Sequence, residues 1–483
     1  MRKSTLYALT AALVLLFVHS VYSEVKLPAI ISSNMVLQRN TTVVLWGWAG
    51  AGEKISIKAS WLKEMKNVTG TREGTWRIEV KTNNSKAPQS IKFKSKTSDI
   101  LLKNVLFGEV WLCSGQSNMT QPVRGNIGQP TFGSNEAIAT SNNPNVLLFT
   151  VDRVGSKSPL KDVEKYTAWQ KASPGSVIDF SAIGYFFGQQ LQAILDVPVG
   201  IIHSSWGGSF VEAWMSTEVL SAYQKINIEE ANLARSNRVQ TALFNAMIHP
   251  LIPYTLKGVL WYQGEGNSSQ PQDYKKLFPS MVKDWRRRWG IGDFPFYYVQ
   301  IAPYVYSGNN AFIVGNNTAF MREAQLQCLD LIPNSGMAIT MDIGEENCIH
   351  PAKKKEVADR LLFTALNQSY GYKTVDFAGP IFDSLQVKDS AIILKFKNAE
   401  SGLYCQDELK GFEIAGDDKV FYPANAKILN YRDVFVMSDK VPDPVAVRYA
   451  WRNWVVGTLY DTNLLPASSF RTDQWNDAIH FDK

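Results

Sequence analysis

The first part of the chain alternates apolar and polar residues in short runs. Residues 42–48 (TVVLWGW), 54–58 (KISIK), 76–80 (WRIEV) and 91–94 (IKFK) have period two, and Gly, Asn and Ser clusters at 50–52, 70–74 and 83–85 separate them. Alternation bounded by turn residues predicts half-buried strands, and this spacing predicts a small β-sandwich over residues 24–105. The pattern changes near Phe107. Val110–Cys113 is a continuous apolar run that stops at Ser114-Gly115. Helical periodicity over 181–194, 238–248 and 353–368 then alternates with apolar runs at 197–202, 258–262, 296–301 and 337–341. Apolar strands interleaved with helices predict a mostly parallel sheet covered on both faces, an α/β unit over 106–375. From 376 to 483 the alternation returns, most clearly at 391–396, 411–414, 434–437 and 446–450.

The first residues read as a leader. Arg2 and Lys3 precede an apolar run from Leu6 to Val18, and Val21 and Ser23 suit a cleavage site. The run is shorter than the ~20 residues that span a bilayer. A signal peptide over 1–23 is expected, and with it a secreted or periplasmic protein. Removing it leaves 460 of 483 residues, enough for about three domains.

Composition narrows the function mainly by exclusion. The formal charge is +6, from 50 basic and 44 acidic residues, and losing Arg2 and Lys3 lowers it by two. No basic tract is dense enough for a nucleic-acid footprint, and no later segment resembles a membrane span. Cys113, Cys328, Cys348 and Cys405 are widely spaced, with no CxxC pair and no metal-ligand spacing, so neither a disulfide framework nor a metal site is expected.

Sites in open α/β sheets lie beyond the carboxyl ends of strands. Four loops qualify: Gly115-Gln-Ser-Asn-Met119, Trp206-Gly-Gly-Ser209, Gln263-Gly-Glu-Gly-Asn267, and the segment from Asp342 to Pro351. Acyl transfer needs a hydroxyl nucleophile, a base within reach and donors aimed at the developing oxyanion. Ser117, at an abrupt strand end, is the candidate nucleophile, although a serine in such a turn is by itself more often a helix cap. Histidine is scarce. His203 fits either a core or a site position, His249 ends a helix, and His480 lies in the tail. His350, in a loop before Pro351, is the candidate base. Gly207 or Gly208 lets backbone approach a substrate and present an N–H. Gln263 carries a side-chain amide able to donate a further hydrogen bond, while Glu265 and Asn267 are expected to fix their loop.

At these residues the chain resembles the sialate O-acetylesterase family of the SGNH hydrolases. Glu109–Met119 (EVWLCSGQSNM) is similar to the family's first block, Trp206–Ser209 with Glu212-Ala-Trp214 to its second, Trp261–Asn267 (WYQGEGN) to its third and Ile349-His-Pro351 to its last. Met35-Val-Leu-Gln38 with Trp46-Gly-Trp48 resembles the family's N-terminal β region. Residues 447–451 (VRYAW) and 465–473 (LPASSFRTD) resemble its C-terminal segment. The resemblance implies a flavodoxin-like three-layer catalytic domain between β-sandwich-like regions. It also implies a serine esterase that removes acetyl groups from sugars without metal or cofactor. Ser117 would be the nucleophile, His350 the base, and Gly208 (or Gly207) and Gln263 the oxyanion donors. Two rival functions are an acetylesterase of xylan or another plant polysaccharide, and a carbohydrate-binding protein whose esterase site has decayed.

The chain departs from the family pattern at Gly266, where Ser or Thr is usual, and more seriously at Asn347 and Cys348. SGNH enzymes commonly place an Asp three residues before the His, and Asn347 stands there. Asp342 is the expected acid partner of His350. Glu345, Glu346 or a backbone carbonyl are the alternatives.

Overall fold

The computed structural model describes residues 24–306, 317–476 and 479–480; the expected signal peptide lies outside them. Its central sheet is built from seven strands: β1 (Asp99–Gly115), β2 (Asn143–Val151), β3 (Tyr166–Ala172), β4 (Val199–Ser205), β5 (Gly258–Tyr262), β6 (Phe296–Val299) and β7 (Ser335–Ala338). They lie in the order β7-β6-β5-β1-β4-β2-β3, all parallel except the edge strand β3, which runs antiparallel to β2. The fold is thus mixed α/β with a mixed central sheet.

The sheet's residues alternate between two apolar clusters, as period two requires. Trp111, Cys113, Ile201, Leu260 and Tyr297 pack with helices α2 (Ala182–Leu195) and α5 (Lys354–Ser369). Leu112, Ile202, Val259, Trp261 and Phe296 pack into the other cluster, which includes Phe278 and Trp285 of α3 (Pro271–Trp289). Both faces are covered, which is why β4 and β5 are buried at every position and read as unbroken apolar runs. Ser181 caps α2 by accepting from the Gly184 N–H at 3.2 Å.

The helix expected over 238–248 is largely replaced by a five-residue π-helical turn, Phe244–Ile248. Three further elements were not legible in the sequence. Helix α3 contains Pro279, a residue that argues against a helix interior. Helix α4 (Ala319–Leu331) lies in a stretch for which no element was expected. The antiparallel pair β2–β3 contains register shifts that interrupt simple alternation.

The N-terminal strands fall where alternation predicts them. Thr42–Trp48 pairs with Thr75–Lys81, and Lys54–Ala59 pairs with Lys66–Thr69 and Gln89–Lys94. The last of these pairs with the start of β1, whose 17 residues run on without a break into the central sheet. One strand therefore crosses the expected boundary at 105–106. The C-terminal β region is pinned to α4 by Arg322, which is fully buried. Its guanidinium donates to the Ser469 hydroxyl (3.0 Å) and to the carbonyls of Ala450 (3.0 Å) and Arg452 (2.7 Å).

Candidate active site

The central strand β1 ends at Gly115, where φ is +127° and an added Cβ would lie 2.2 Å from the Tyr262 carbonyl oxygen. Only glycine fits this close approach in that conformation. The chain turns there and begins a short helix, α1 (Ser117–Thr120), with Ser117 as its first residue. Ser117 is partly exposed between buried Gln116 and Asn118. Its own N–H, at the start of a helix, has no partner within that helix.

The loop after β4 comes up beside it. Trp206 N–H donates to the Gly115 carbonyl at 3.0 Å, and the Asn237 amide holds the Gly207 carbonyl at 2.8 Å. A Cβ on Gly207 would stand 3.2 Å from Ser117 Cβ, so a glycine is what lets the two loops pack. Gly208 takes φ +68°. Among the described residues, neither the Gly207 nor the Gly208 N–H donates to a protein acceptor.

Gln263, expected as an oxyanion donor, is used differently. Its Nε2 donates to the Ser209 carbonyl (3.0 Å) and to Asn267 Oδ1 (2.7 Å), which occupies both amide hydrogens of a fully buried side chain. It braces the loop carrying Gly207 and Gly208 from beneath. Asn267 extends that brace to the Val211 N–H and the Glu212 carboxylate, each at 2.9 Å.

Asp342, expected as the acid, does not reach His350. Both its oxygens are held by Arg360 of α5, Oδ1 at 2.8 Å and Oδ2 at 2.7 Å, and a fork–fork pair of this kind leaves no reason to turn away. Glu345 is also engaged, accepting from the Ala352 N–H at 2.6 Å. The Nδ1 of His350 instead lies 2.9 Å from Oε1 of Gln129, a residue 221 positions away that nothing in the sequence singled out.

Ser117, Gly207 and His350 line one open cavity of about 520 Å³, with Thr120, Asn126, Arg153, Asp179 and His203 among the other walls. His203 Nε2 is 2.6 Å from Ser205 Oγ, which in turn is 2.7 Å from Thr120 Oγ1. His203 is thus engaged with β4 and α1, while His350 lines the same cavity as Ser117. Burial pushes both histidines down to about 4, His350 further by the Lys354 ammonium and His203 by Arg153. Both rings are therefore neutral at neutral pH, the form a general base requires.

Beneath the cavity lies a buried polar cluster, also unforeseen. Asn118 donates to Glu265 Oε1 (2.7 Å) and to the Ile349 carbonyl (3.1 Å), and accepts from Lys354 Nζ (2.5 Å). Burial raises the Glu265 carboxyl and lowers Lys354 to about 7, the opposite charge of each partner opposing its shift. Through Asn118 the residue after Ser117 and the residue before His350 are tied together. None of the four cysteines is in a disulfide.

Residues 107–358 match the family model described as carbohydrate esterase, sialic acid-specific acetylesterase. The chain belongs to that family. Mouse sialate O-acetylesterase is 30% identical over 91% of this chain and 93% of its own length, and the human enzyme 30% identical over 88% and 87%. The crystal structure of a carbohydrate acetylesterase from Xanthomonas citri superposes with a TM-score of 0.84 at 32% identity, covering 93% of this chain and all of that one. Like the other members of this esterase family, the chain is a hydrolase of carboxylic esters. The matched region spans all four loops.

Proposed function

We propose that this esterase releases acetate from O-acetylated sugars, most directly O-acetylated sialic acid, through an acetyl-serine intermediate at Ser117. The observation that carries the reading is the single cavity in which Ser117, Gly207 and His350 meet. His350 Nε2 takes the Ser117 proton as Oγ attacks the acetyl carbonyl. The backbone N–H groups of Ser117 and Gly208 hold the tetrahedral oxyanion, donors of a kind worth about 3–4 kcal/mol each elsewhere. Collapse expels the sugar oxygen, which takes the proton from His350. Water, deprotonated by His350, then attacks the acetyl-serine, and as acetate leaves His350 returns the proton to Ser117 Oγ. The residues involved need no metal or cofactor for these steps.

Sialic acid is preferred to a neutral plant glycan because the relatives that match over most of the chain at 30% identity are sialate O-acetylesterases; Arg153, which lines the cavity beside Asp152 and Asp179, is the cation that would meet its carboxylate. The same reading takes residues 106–375 as a flavodoxin-like three-layer catalytic unit buttressed by sandwich-like β regions. It also takes residues 1–23 as a cleaved leader of a secreted or periplasmic enzyme.

The test is acetate release from 9-O-acetylated sialic acid by the wild type and by Ser117→Ala. Release that vanishes in the variant supports both nucleophile and substrate. If the wild type instead prefers acetylated xylo-oligosaccharides, the plant-polysaccharide reading replaces the sialate one. If it releases acetate from neither substrate and Ser117 resists an organophosphonate, the site has decayed.

A further inference from the structure

The most unusual feature of this site is what stands behind its histidine. In a hydrolase triad a carboxylate normally accepts from the base's Nδ1–H, sets its tautomer and stabilises the imidazolium that forms. Here Asp342 is paired with Arg360, Glu345 accepts from the Ala352 N–H, Asp179 pairs with Arg124, and Glu346 is exposed to solvent. The group within hydrogen-bond distance of His350 Nδ1 is the amide oxygen of Gln129 at 2.9 Å.

We propose that Gln129 is the positioning residue of the triad: its side-chain oxygen accepts the Nδ1–H of His350 and leaves the Nε2 lone pair for the Ser117 proton. An amide oxygen can only accept, so this contact is compatible with one neutral tautomer of the ring, the one catalysis needs. The inference rests on the acetyl-serine reading above.

The loop carrying Gln129 is built to hold such a contact. Asn126 and Gln129 exchange backbone hydrogen bonds at 2.8 and 2.9 Å around a two-residue turn in which Gly128 takes φ +70°. The buried Gln121 amide donates to the Pro130 carbonyl at 2.9 Å, and Thr131 Oγ1 donates to the Pro122 carbonyl at 3.1 Å. Phe132 N–H then donates to the Ala352 carbonyl at 3.0 Å, two residues beyond His350. The partner and the histidine are thus fastened to each other through the backbone as well as through their side chains.

An amide dipole orients the ring but stabilises the imidazolium less than a carboxylate would. The ionisable groups around the ring do not make up the difference. Lys354 lies behind it as a buried cation, coupled to Glu265, Cys348 and Glu345, while Arg153, Asp152, Asp179 and the neutral His203 line the cavity in front. The enzyme keeps its base neutral to low pH and accepts a less stabilised transition state.

Gln129→Ala and Gln129→Glu, assayed with p-nitrophenyl acetate beside Ser117→Ala, test this. For Gln129→Ala, kcat should fall about 10- to 100-fold with KM nearly unchanged, less than the roughly 10⁴-fold loss when a triad histidine is held in the wrong tautomer. Gln129→Glu, of the same shape, should retain or exceed wild-type kcat and move the acidic limb of kcat/KM up by about a pH unit or more. Thermal unfolding checks that both variants fold. Unchanged kcat in folded Gln129→Ala, an effect confined to KM, or a Gln129→Glu enzyme as slow as the alanine variant with an unmoved limb would each overturn the proposal. If instead Ser117→Ala stays active, it is the acetyl-serine reading that fails.

Discussion

Lys354 donates to Asn118 Oδ1 at 2.5 Å inside the protein, and this bond joins the helix that follows His350 to the residue that follows Ser117. Asn118 passes the connection on to Glu265 and to the Ile349 carbonyl. The buried lysine and carboxyl are therefore linked through Asn118 to the segments that carry Ser117 and His350, although neither lines the cavity.

Replacing Lys354 by Met leaves Glu265 buried without its opposite charge. Stability should fall by roughly 1–3 kcal/mol, the cost of leaving a buried hydrogen-bonding group, here Asn118 Oδ1, without its donor. Loss of the cation should also raise His350, because Lys354 is one of the two causes that hold it near 4. In the wild type the acidic limb of kcat/KM is expected near pH 4 rather than near the ordinary histidine value of 6.5, and in Lys354→Met at higher pH. Urea unfolding and a pH–rate profile read the two effects separately. A wild-type limb at 6.5 would contradict the burial argument.

The same two buried rings tie stability to pH. His203 and His350 stay neutral in the fold down to about pH 4, but protonate near 6.5 in the unfolded chain. Between those values the unfolded state binds more protons, so stability rises with pH and is lost as pH falls from about 6.5 toward 4. Each ring contributes a slope of up to about 1.4 kcal/mol per pH unit. Denaturant titrations from pH 4.5 to 7 should show a shallower slope in His203→Gln. An identical slope in that variant would remove His203 from the account.

Gly207 and Gly115 separate a functional glycine from a structural one. Gly207→Ala puts a Cβ 3.2 Å from Ser117 Cβ, a clash that a few tenths of an ångström can relieve. The protein should fold, with kcat/KM reduced about tenfold or more by displacement of the nucleophile from its oxyanion donors. Gly115→Ala meets a backbone oxygen at 2.2 Å with φ at +127° and should not yield folded protein. Circular dichroism and an esterase assay on both variants decide this, and a fully active Gly207→Ala would show that the loops have slack.

Asp342→Asn breaks the paired contact with Arg360 without touching His350. The expected outcome is kcat within about twofold of wild type and a loss of about 1.5–3 kcal/mol in unfolding free energy, the range for hydrogen bonds to charged groups. A large fall in kcat at unchanged stability would return Asp342 to the triad.

The sequence by itself determined five of the seven central strands (β1, β4, β5, β6 and β7), the four loops at their ends, and the nucleophile and base candidates. These follow from local causes: apolar runs buried on both faces, glycines at sharp turns, and a histidine in a loop before proline. Only the tertiary structure decided who partners whom. Gln129 reaches His350 across 221 residues because a turn beside the cavity is fastened to Ala352, and no periodicity encodes that meeting. Asp342 is near His350 in the chain yet belongs to Arg360, and Gln263 spends both its amide hydrogens inside the loop where a donor to the substrate was expected. Hydrogen-bond partners and burial are properties of the packed chain. The residues that orient the site and shift its histidines could be read only after packing had brought distant segments together.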